Sequence, residues 1–227
     1  AIELAHQALE QAQELEYGHG ITVACNSLGV SYETVNEFRN GVRYLILGLQ
    51  AVEENTPPHN IANLSNNLGV CYYQLAIYDS SMIYHMSALK IWEKEADADY
   101  FVAGVLNNIG DIYMVQEDFE AGLTSYSRAL DLSQKIGDKR GEQRALSNIS
   151  KVHLRLGNDN KALQYQQERM ASETDNTSPS TRAKSYNDLG RIYLKQGHYD
   201  EALENFRAAL SIEKELNDKL GIADNLR

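Results

Sequence analysis

Between residues 181 and 217 the apolar side chains fall into two sets at helical spacing. Tyr186, Leu189, Gly190, Ile192 and Tyr193 make the i, i+3, i+4, i+7 stripe of one amphipathic helix. After Gln196-Gly197-His198 a second set follows: Tyr199, Ala202, Leu203, Phe206, Ala209 and Leu210. Gly197 is suited to the left-handed conformation that ends a helix, so these three residues are read as a turn between two helices. Gly190 lies inside the first helix, where it costs roughly 1 kcal/mol relative to Ala. A glycine there predicts close approach by the second helix, and the alternation of small and aromatic residues on that helix lets the two interdigitate.

The same grammar recurs along the whole chain. Leu28-Gly29…Tyr32, Leu68-Gly69…Tyr72, Ile109-Gly110…Tyr113, Ile149-Ser150…His153 and Leu189-Gly190…Tyr193 place the small residue at 29, 69, 110, 150 and 190. A fixed period of this size marks a solenoid, in which each unit stacks on its neighbours and a long surface is presented instead of an enclosed pocket. The spacing divides the chain into a single array: 1–17 as the second helix of a truncated repeat, then repeats at 18–58, 59–98, 99–138, 139–178 and 179–217, and 218–227 as the start of another. Residues 1–15 are expected to set Ala1, Ala8 and Leu9 in the places of Ala202, Ala209 and Leu210. Both ends therefore read as cut, with the parent protein continuing on at least one side.

The pattern Leu189-Gly190…Tyr193…Gly197…Tyr199…Ala202…Phe206…Ala209-Leu210 resembles the tetratricopeptide repeat, and the resemblance covers essentially the whole chain. The usual period of that family is 34 residues. The longer spacing here is similar to the subclass found in spindle-orientation scaffolds, kinesin light chains and bacterial peptide receptors, as are the connectors Ile136-Gly137-Asp138-Lys139-Arg140-Gly141-Glu142 and Leu216-Asn217-Asp218-Lys219-Leu220-Gly221. The resemblance implies an all-α fold, a tetratricopeptide α-solenoid built as a right-handed superhelix of antiparallel helix pairs. It also implies that first helices line a concave face and second helices a convex one.

Composition narrows the function. The chain has 227 residues, 43% hydrophobic and 23% charged, with a formal charge of −11. That acidity opposes a general role in coating nucleic acid or an anionic membrane, since both need cations. Three prolines, Pro57, Pro58 and Pro179, suit long helices. Cys25 and Cys71 lie about one repeat apart with no CxxC or His/Cys cluster, and are read as small buried hydrophobes. No apolar run approaches the roughly 18–20 residues that span a bilayer, and the chain opens without a signal-peptide pattern. A cytoplasmic location is expected. His6, His19, His59, His85, His153 and His198 form no HExxH or other metal pair, and neither GxSxG nor a phosphate loop is present. Gly18-His19-Gly20 reads as a connector turn. Neither catalysis by this fragment nor a cofactor is expected. Tyr72, Tyr73, Tyr113 and Tyr193 have the helical spacing of core residues more than of a base-stacking platform.

A ligand would lie on the first helices, away from the Leu…Tyr packing residues, at positions i, i+4, i+7 and i+11. Repeat one contributes Val23, Ser27, Val30 and Thr34; repeat two Asn63, Asn67, Val70 and Gln74; repeat three Gly104, Asn108, Asp111 and Val115. Repeat four contributes Arg144, Asn148, Lys151 and Arg155, and repeat five Lys184, Asp188, Arg191 and Lys195. The last two repeats thus supply six cations to this stripe and the first three none. Such a face attracts anions, and arginine can grip a carboxylate through two parallel hydrogen bonds. The alternative is a solvated face whose cations pair with nearby acids. Asn67, Asn108 and Asn148 share one register, with Asp188 in the next copy. An amide can hold the backbone of an extended peptide, or bond a neighbouring helix and set the stacking angle. Repeat four departs most from the pattern, with Ser150, His153, Gln166 and Arg169 and a polar connector at 172–180. It is either degenerate or a looser joint beside the basic face.

The expected role is a peptide- or protein-binding array serving as sensor or scaffold of a larger signalling protein. Its partner would carry an acidic segment or free carboxylate, held by Asn67, Gln74, Asn108, Asp111, Arg144, Asn148, Lys151, Arg155, Lys184, Asp188, Arg191 and Lys195. The competing expectation is a homodimerisation or regulatory module for an attached cyclase, kinase or DNA-binding domain.

Overall fold

The structure, a computed structural model, describes residues 1–174 and 177–216. The expected repeat start at 218–227, and the connector from Asn217 onward, lie outside the described residues. Within them run eleven α-helices and no strand: α1 (Ile2–Glu14), α2 (Gly18–Thr34), α3 (Phe38–Gln50), α4 (Pro58–Gln74), α5 (Tyr78–Trp92), α6 (Asp99–Val115), α7 (Phe119–Ile136), α8 (Lys139–Arg155), α9 (Asp159–Ala171), α10 (Pro179–Gln196) and α11 (Tyr199–Glu215). They form two compact units, Ala1–Gln116 and Glu117–Arg227. In the first, α1 packs on α2, α2 pairs with α3 and α4 with α5, α5 packs on α6, and α2, α4 and α6 touch in succession. In the second, α7 packs on α8, α8 pairs with α9, α9 packs on α10, and α10 pairs with α11. Each unit is a row of helix pairs, the arrangement of an α-solenoid.

The turn that ends a first helix is a repeated device. A left-handed residue stands at Asn36 (φ 61°), Ala76 (φ 58°), Glu117 (φ 60°), Gly157 (φ 75°) and Gly197 (φ 78°). In four copies the next N–H donates back to an aromatic residue of the first helix: Glu37 to the Tyr32 carbonyl, Ile77 to Tyr72, Asn158 to His153 and His198 to Tyr193, at 2.8–2.9 Å. These bonds satisfy carbonyls that a helix end otherwise leaves orphaned. Only two of the five positions are glycine, so the others accept the crowding of Cβ against the backbone that makes this region unfavourable for L-residues. Helix starts are also marked: the Asp118 carboxylate accepts from Ala121 N–H and the Ser178 hydroxyl from Thr181 N–H, both at 3.1 Å. Pro58 and Pro179 open their helices, where a missing N–H costs nothing.

Pairing rests on a small residue in the first helix facing a large one sixteen positions later. A Cβ at Gly69 would lie 2.8 Å from the His85 ring, and one at Gly190 2.6 Å from Phe206; at Gly29 the obstructing side chain is Leu45. The close approach read from Gly190 is thus between first-helix backbone and second-helix side chain. Twelve positions apart, rings stack across the pair: Tyr32 on Tyr44 (5.4 Å, 3°), Tyr72 on Tyr84 (5.5 Å, 11°) and His153 on Tyr165 (5.4 Å, 9°).

The register expected for α1 is corrected by one turn. Ala5 and Ala12 are buried, as Ala202 and Ala209 are, whereas Ala1 and Ala8 are exposed. Ala5 is the fourth residue of α1 and Ala202 the fourth of α11. Four alanines spaced by three and four residues fall on overlapping faces of a helix, so spacing alone did not separate the two registers. Ala202 is 2% exposed. Ala202→Leu should overpack the α10–α11 contact at a cost of about 1–3 kcal/mol, read as a lower thermal midpoint. An unchanged midpoint would contradict the packing described.

Cys25 and Cys71 are free and fully buried. Burial pushes their thiols up to about 11 and about 12, respectively, and the Glu33 carboxylate adds to the second. They pack as small apolar groups, as read from the sequence.

Candidate peptide-binding face

In the second unit the cationic stripe lies on α8 and α10. Arg144, Lys151 and Arg155 on α8, and Lys184, Arg191 and Lys195 on α10, are all exposed. Exposure of positions 144, 151 and 155 on one helix and 184, 191 and 195 on the other is what the i, i+7, i+11 spacing demands. The two helix ends are tied together: Lys195 Nζ donates to the Leu154 carbonyl at 2.6 Å and pairs with Asp159 at 2.8 Å, and Gln196 donates to Asn160 at 3.3 Å. Lys195 therefore serves the stack. Arg155 reaches Glu117 only at 4.0 Å, between two well-exposed side chains, a pair worth little in water. Lys151 donates to the Asn148 side-chain carbonyl at 3.3 Å, and Asn148 is itself 8% exposed.

The asparagines of the first unit connect successive first helices. Asn67 on α4 donates to Asn26 Oδ1 on α2 at 2.9 Å, and Asn108 on α6 donates to Asn66 Oδ1 on α4 at 3.2 Å. His85 Nδ1 lies 3.1 Å from the same Asn66 oxygen. These bonds match the stacking alternative weighed for the asparagines. Asn26 and Asn66 were not singled out in the sequence, although Asn recurs one position before the stripe at 26, 66, 107 and 187. The last two differ: Asn107 bonds its own helix at the Ala103 carbonyl and Asn187 bonds Glu213. Gln74 is exposed at the end of α4, and Asp111 is half-buried on α6.

The unusual residues of repeat four have defined partners. Ser150 stands where other copies have glycine, and its hydroxyl donates to the Ala162 carbonyl at 2.7 Å, so close contact is kept through a hydrogen bond. His153 keeps the ring stack; burial, and then Lys161, hold its imidazole below the usual histidine range, favouring the neutral ring. Gln166 is fully buried and donates to the Ser185 carbonyl at 3.0 Å. Arg169, 3% exposed, meets Asp188 at 3.4 Å and the Thr181 carbonyl at 3.4 Å, while Ser185 donates to Glu173. Burial lowers the Arg169 pKa, against the raising effect of Asp188 and Glu173. Asp188, expected to face ligand, is thus the counter-ion of a buried guanidinium between α9 and α10.

Charge is unevenly shared between the units. Residues 1–116 contain 4 Lys/Arg against 14 Asp/Glu, and residues 117–227 contain 17 against 18. The first stretch is therefore strongly acidic and the second close to neutral, so the first repels anions more strongly. Among the described residues no group of three or more His, Cys, Asp or Glu is placed to hold a metal ion, and no helix is long and apolar enough to cross a membrane.

Stacked helix pairs with a small residue under a large one and an exposed polar face on the first helices define a helical-repeat scaffold. Tetratricopeptide-repeat models match residues 101–172 and 183–216, and the chain is an α-solenoid of the tetratricopeptide-repeat class. It is 26% identical over 122 residues to tetratricopeptide repeat protein 29 of Macaca fascicularis, covering 54% of this chain and 24% of that protein. The chain thus spans about a quarter of the length of that relative. Among solved structures it superposes on BtubC (BKLC) from P. vanneervenii with TM-score 0.80 at 18% identity, covering 96% and 91% of the two chains. It also superposes on the Rap conjugation gene regulator of the plasmid pLS20, solved in complex with the Phr* peptide, with TM-score 0.75 at 16% identity, covering 92% and 58%.

Proposed function

We propose that this chain is a peptide- or protein-binding module, not a catalyst, and that its second unit receives an acidic peptide segment or free carboxylate on the exposed face of α8 and α10. The observation that carries this reading is the exposure of Arg144, Lys151 and Arg155 on one first helix and Lys184 and Arg191 on the next, in an acidic chain. Lys195, although exposed, and Asp188 are engaged by neighbouring helices and serve the stack. Asn67 and Asn108 set the spacing of first helices in the other unit, and Gln74 and Asp111 flank that row. A peptide on the pLS20 regulator supports the idea that this fold can accept such a ligand. The role that follows is a sensor or scaffold segment of a larger signalling protein working in the cytoplasm.

A fluorescein-labelled, glutamate-rich peptide with a free C-terminus tests this by anisotropy against a lysine-rich peptide of equal length. The acidic peptide should bind, and should weaken several-fold as added salt shortens the Debye length from about 10 Å toward 3 Å. Equal binding of both peptides, or indifference to salt, would contradict the proposal.

A further inference from the structure

The outward side of a second helix is polar in the later repeats. Counted from each helix start, the sixth and ninth residues are Thr124 and Ser127 on α7, Gln164 and Gln167 on α9, and Glu204 and Arg207 on α11, all exposed. On α5 the same two places hold Ile83, 66% exposed, and Met86, 48% exposed. One exposed apolar side chain needs no explanation. Two of them one turn apart, where other repeats put polar groups, make a contact surface. The stack does not supply their cover: α4 and α6 already pack on α5, and both side chains stay open to water. Nor does α5 end the array, since helix pairs precede and follow it.

The charges around this pair indicate what fits there. In residues 1–116 the Lys and Arg side chains are Arg39, Arg43, Lys90 and Lys94. Three lie on α3 and α5, the fourth follows just after α5, and all are exposed. Both α3 and α5 pack on α4. Lys90 extends the stripe of Ile83 and Met86 by one more turn, and Arg43 has on α3 the place that Ile83 has on α5. Against these cations the two helices carry one acid, Asp79, in the first turn of α5, where it complements the helix dipole. Glu37 and Glu93 stand at their ends. In a stretch that otherwise repels anions, carboxylates find their attraction here, beside exposed apolar groups. An amphipathic helix with apolar anchors three or four residues apart matches that combination.

We infer that the outward face of α5, with the cations of α3, docks an acidic amphipathic helix of a partner protein. Its apolar residues cover Ile83 and Met86, and its carboxylates meet Arg39, Arg43 and Lys90. The unbranched thioether of Met86 lets the contact adapt to the shape of the incoming side chain. This surface lies in the first unit and does not depend on the acidic-peptide face of the second.

A fluorescein-labelled helical peptide of about 18 residues, five turns, with leucines on one face and glutamates flanking them, tests the inference by anisotropy. The full chain carries Arg155→Glu and Arg191→Glu in this experiment, so that binding on α8 and α10 is disfavoured. The peptide should bind at one site. Ile83→Glu with Met86→Glu, or Arg39→Glu with Lys90→Glu, should each weaken it about 10-fold or more. Gln164→Glu with Gln167→Glu puts the same charges at the matching places on α9 and should leave affinity unchanged. All six positions are exposed, and circular dichroism should show their helix content unchanged. A peptide of identical composition with its leucines dispersed around the helix should lose most of its affinity. Equal binding of the dispersed peptide, or full binding by the Ile83/Met86 variant, would overturn the inference. So would a concentration-dependent dimer abolished by Ile83→Glu with Met86→Glu, because the occupant would then be a second copy.

Discussion

Asp188→Ala should loosen the contact between α9 and α10 by about 3 kcal/mol, near the lower end of what removing one member of a buried ion pair costs. Arg169 is 3% exposed, and its guanidinium has Asp188 at 3.4 Å and the Thr181 carbonyl at 3.4 Å. Without the carboxylate a buried cation is left with one backbone oxygen and the more distant field of Glu173. The residual attraction of Glu173 is why the lower end is expected. Replacing both partners, Arg169→Met with Asp188→Leu, should cost much less, because no uncompensated charge remains in the joint. A helical array need not unfold in one step, so the readout is hydrogen exchange of α9 and α10 amides against those of α2 to α5. Opening free energies in α9 and α10 unchanged by Asp188→Ala would show that the pair contributes nothing to the joint.

Reversing Arg155 and Arg191 to Glu should weaken the glutamate-rich peptide roughly 10- to 100-fold and remove most of its salt dependence. Each exposed pair alone is worth only about 0–1 kcal/mol. Reversal, however, converts two attractions into two repulsions on the one face where the acidic chain gathers cations. Both side chains are exposed, and Arg155 meets Glu117 only at 4.0 Å, so the fold should be undisturbed. Unchanged affinity with unchanged salt dependence would place the ligand elsewhere or deny it.

Most of the fold could be read from period and spacing. The small residue at 29, 69, 110, 150 and 190 predicted helix pairs, and Gly29, Gly69 and Gly190 do face the large side chain of the second helix. The α1 register could not be read, because Ala1, Ala5, Ala8 and Ala12 satisfy the pattern in two ways and only packing on α2 distinguishes them. The left-handed turn was legible at Gly197 but not at Asn36, Ala76 or Glu117, where the repeated turn imposes a conformation those residues do not prefer. The exposed cations of α8 and α10 followed from helical spacing. Which polar residues would be engaged by neighbours did not, because Asn67 and Asp188 have the same spacing as ligand-facing residues. Their partners, Asn26 and Arg169, lie 41 and 19 residues away along the chain. A pattern within one helix carries no information about what the adjoining helix offers.

The most direct test is a ¹⁵N heteronuclear correlation titration of the full chain with the unlabelled glutamate-rich peptide. The account predicts saturable shifts confined to α8 and α10, centred on Lys151, Arg155, Lys184 and Arg191, with α2, α4 and α6 unmoved. Shifts centred on second helices α9 and α11, on the first unit, or nowhere at saturating peptide would contradict it.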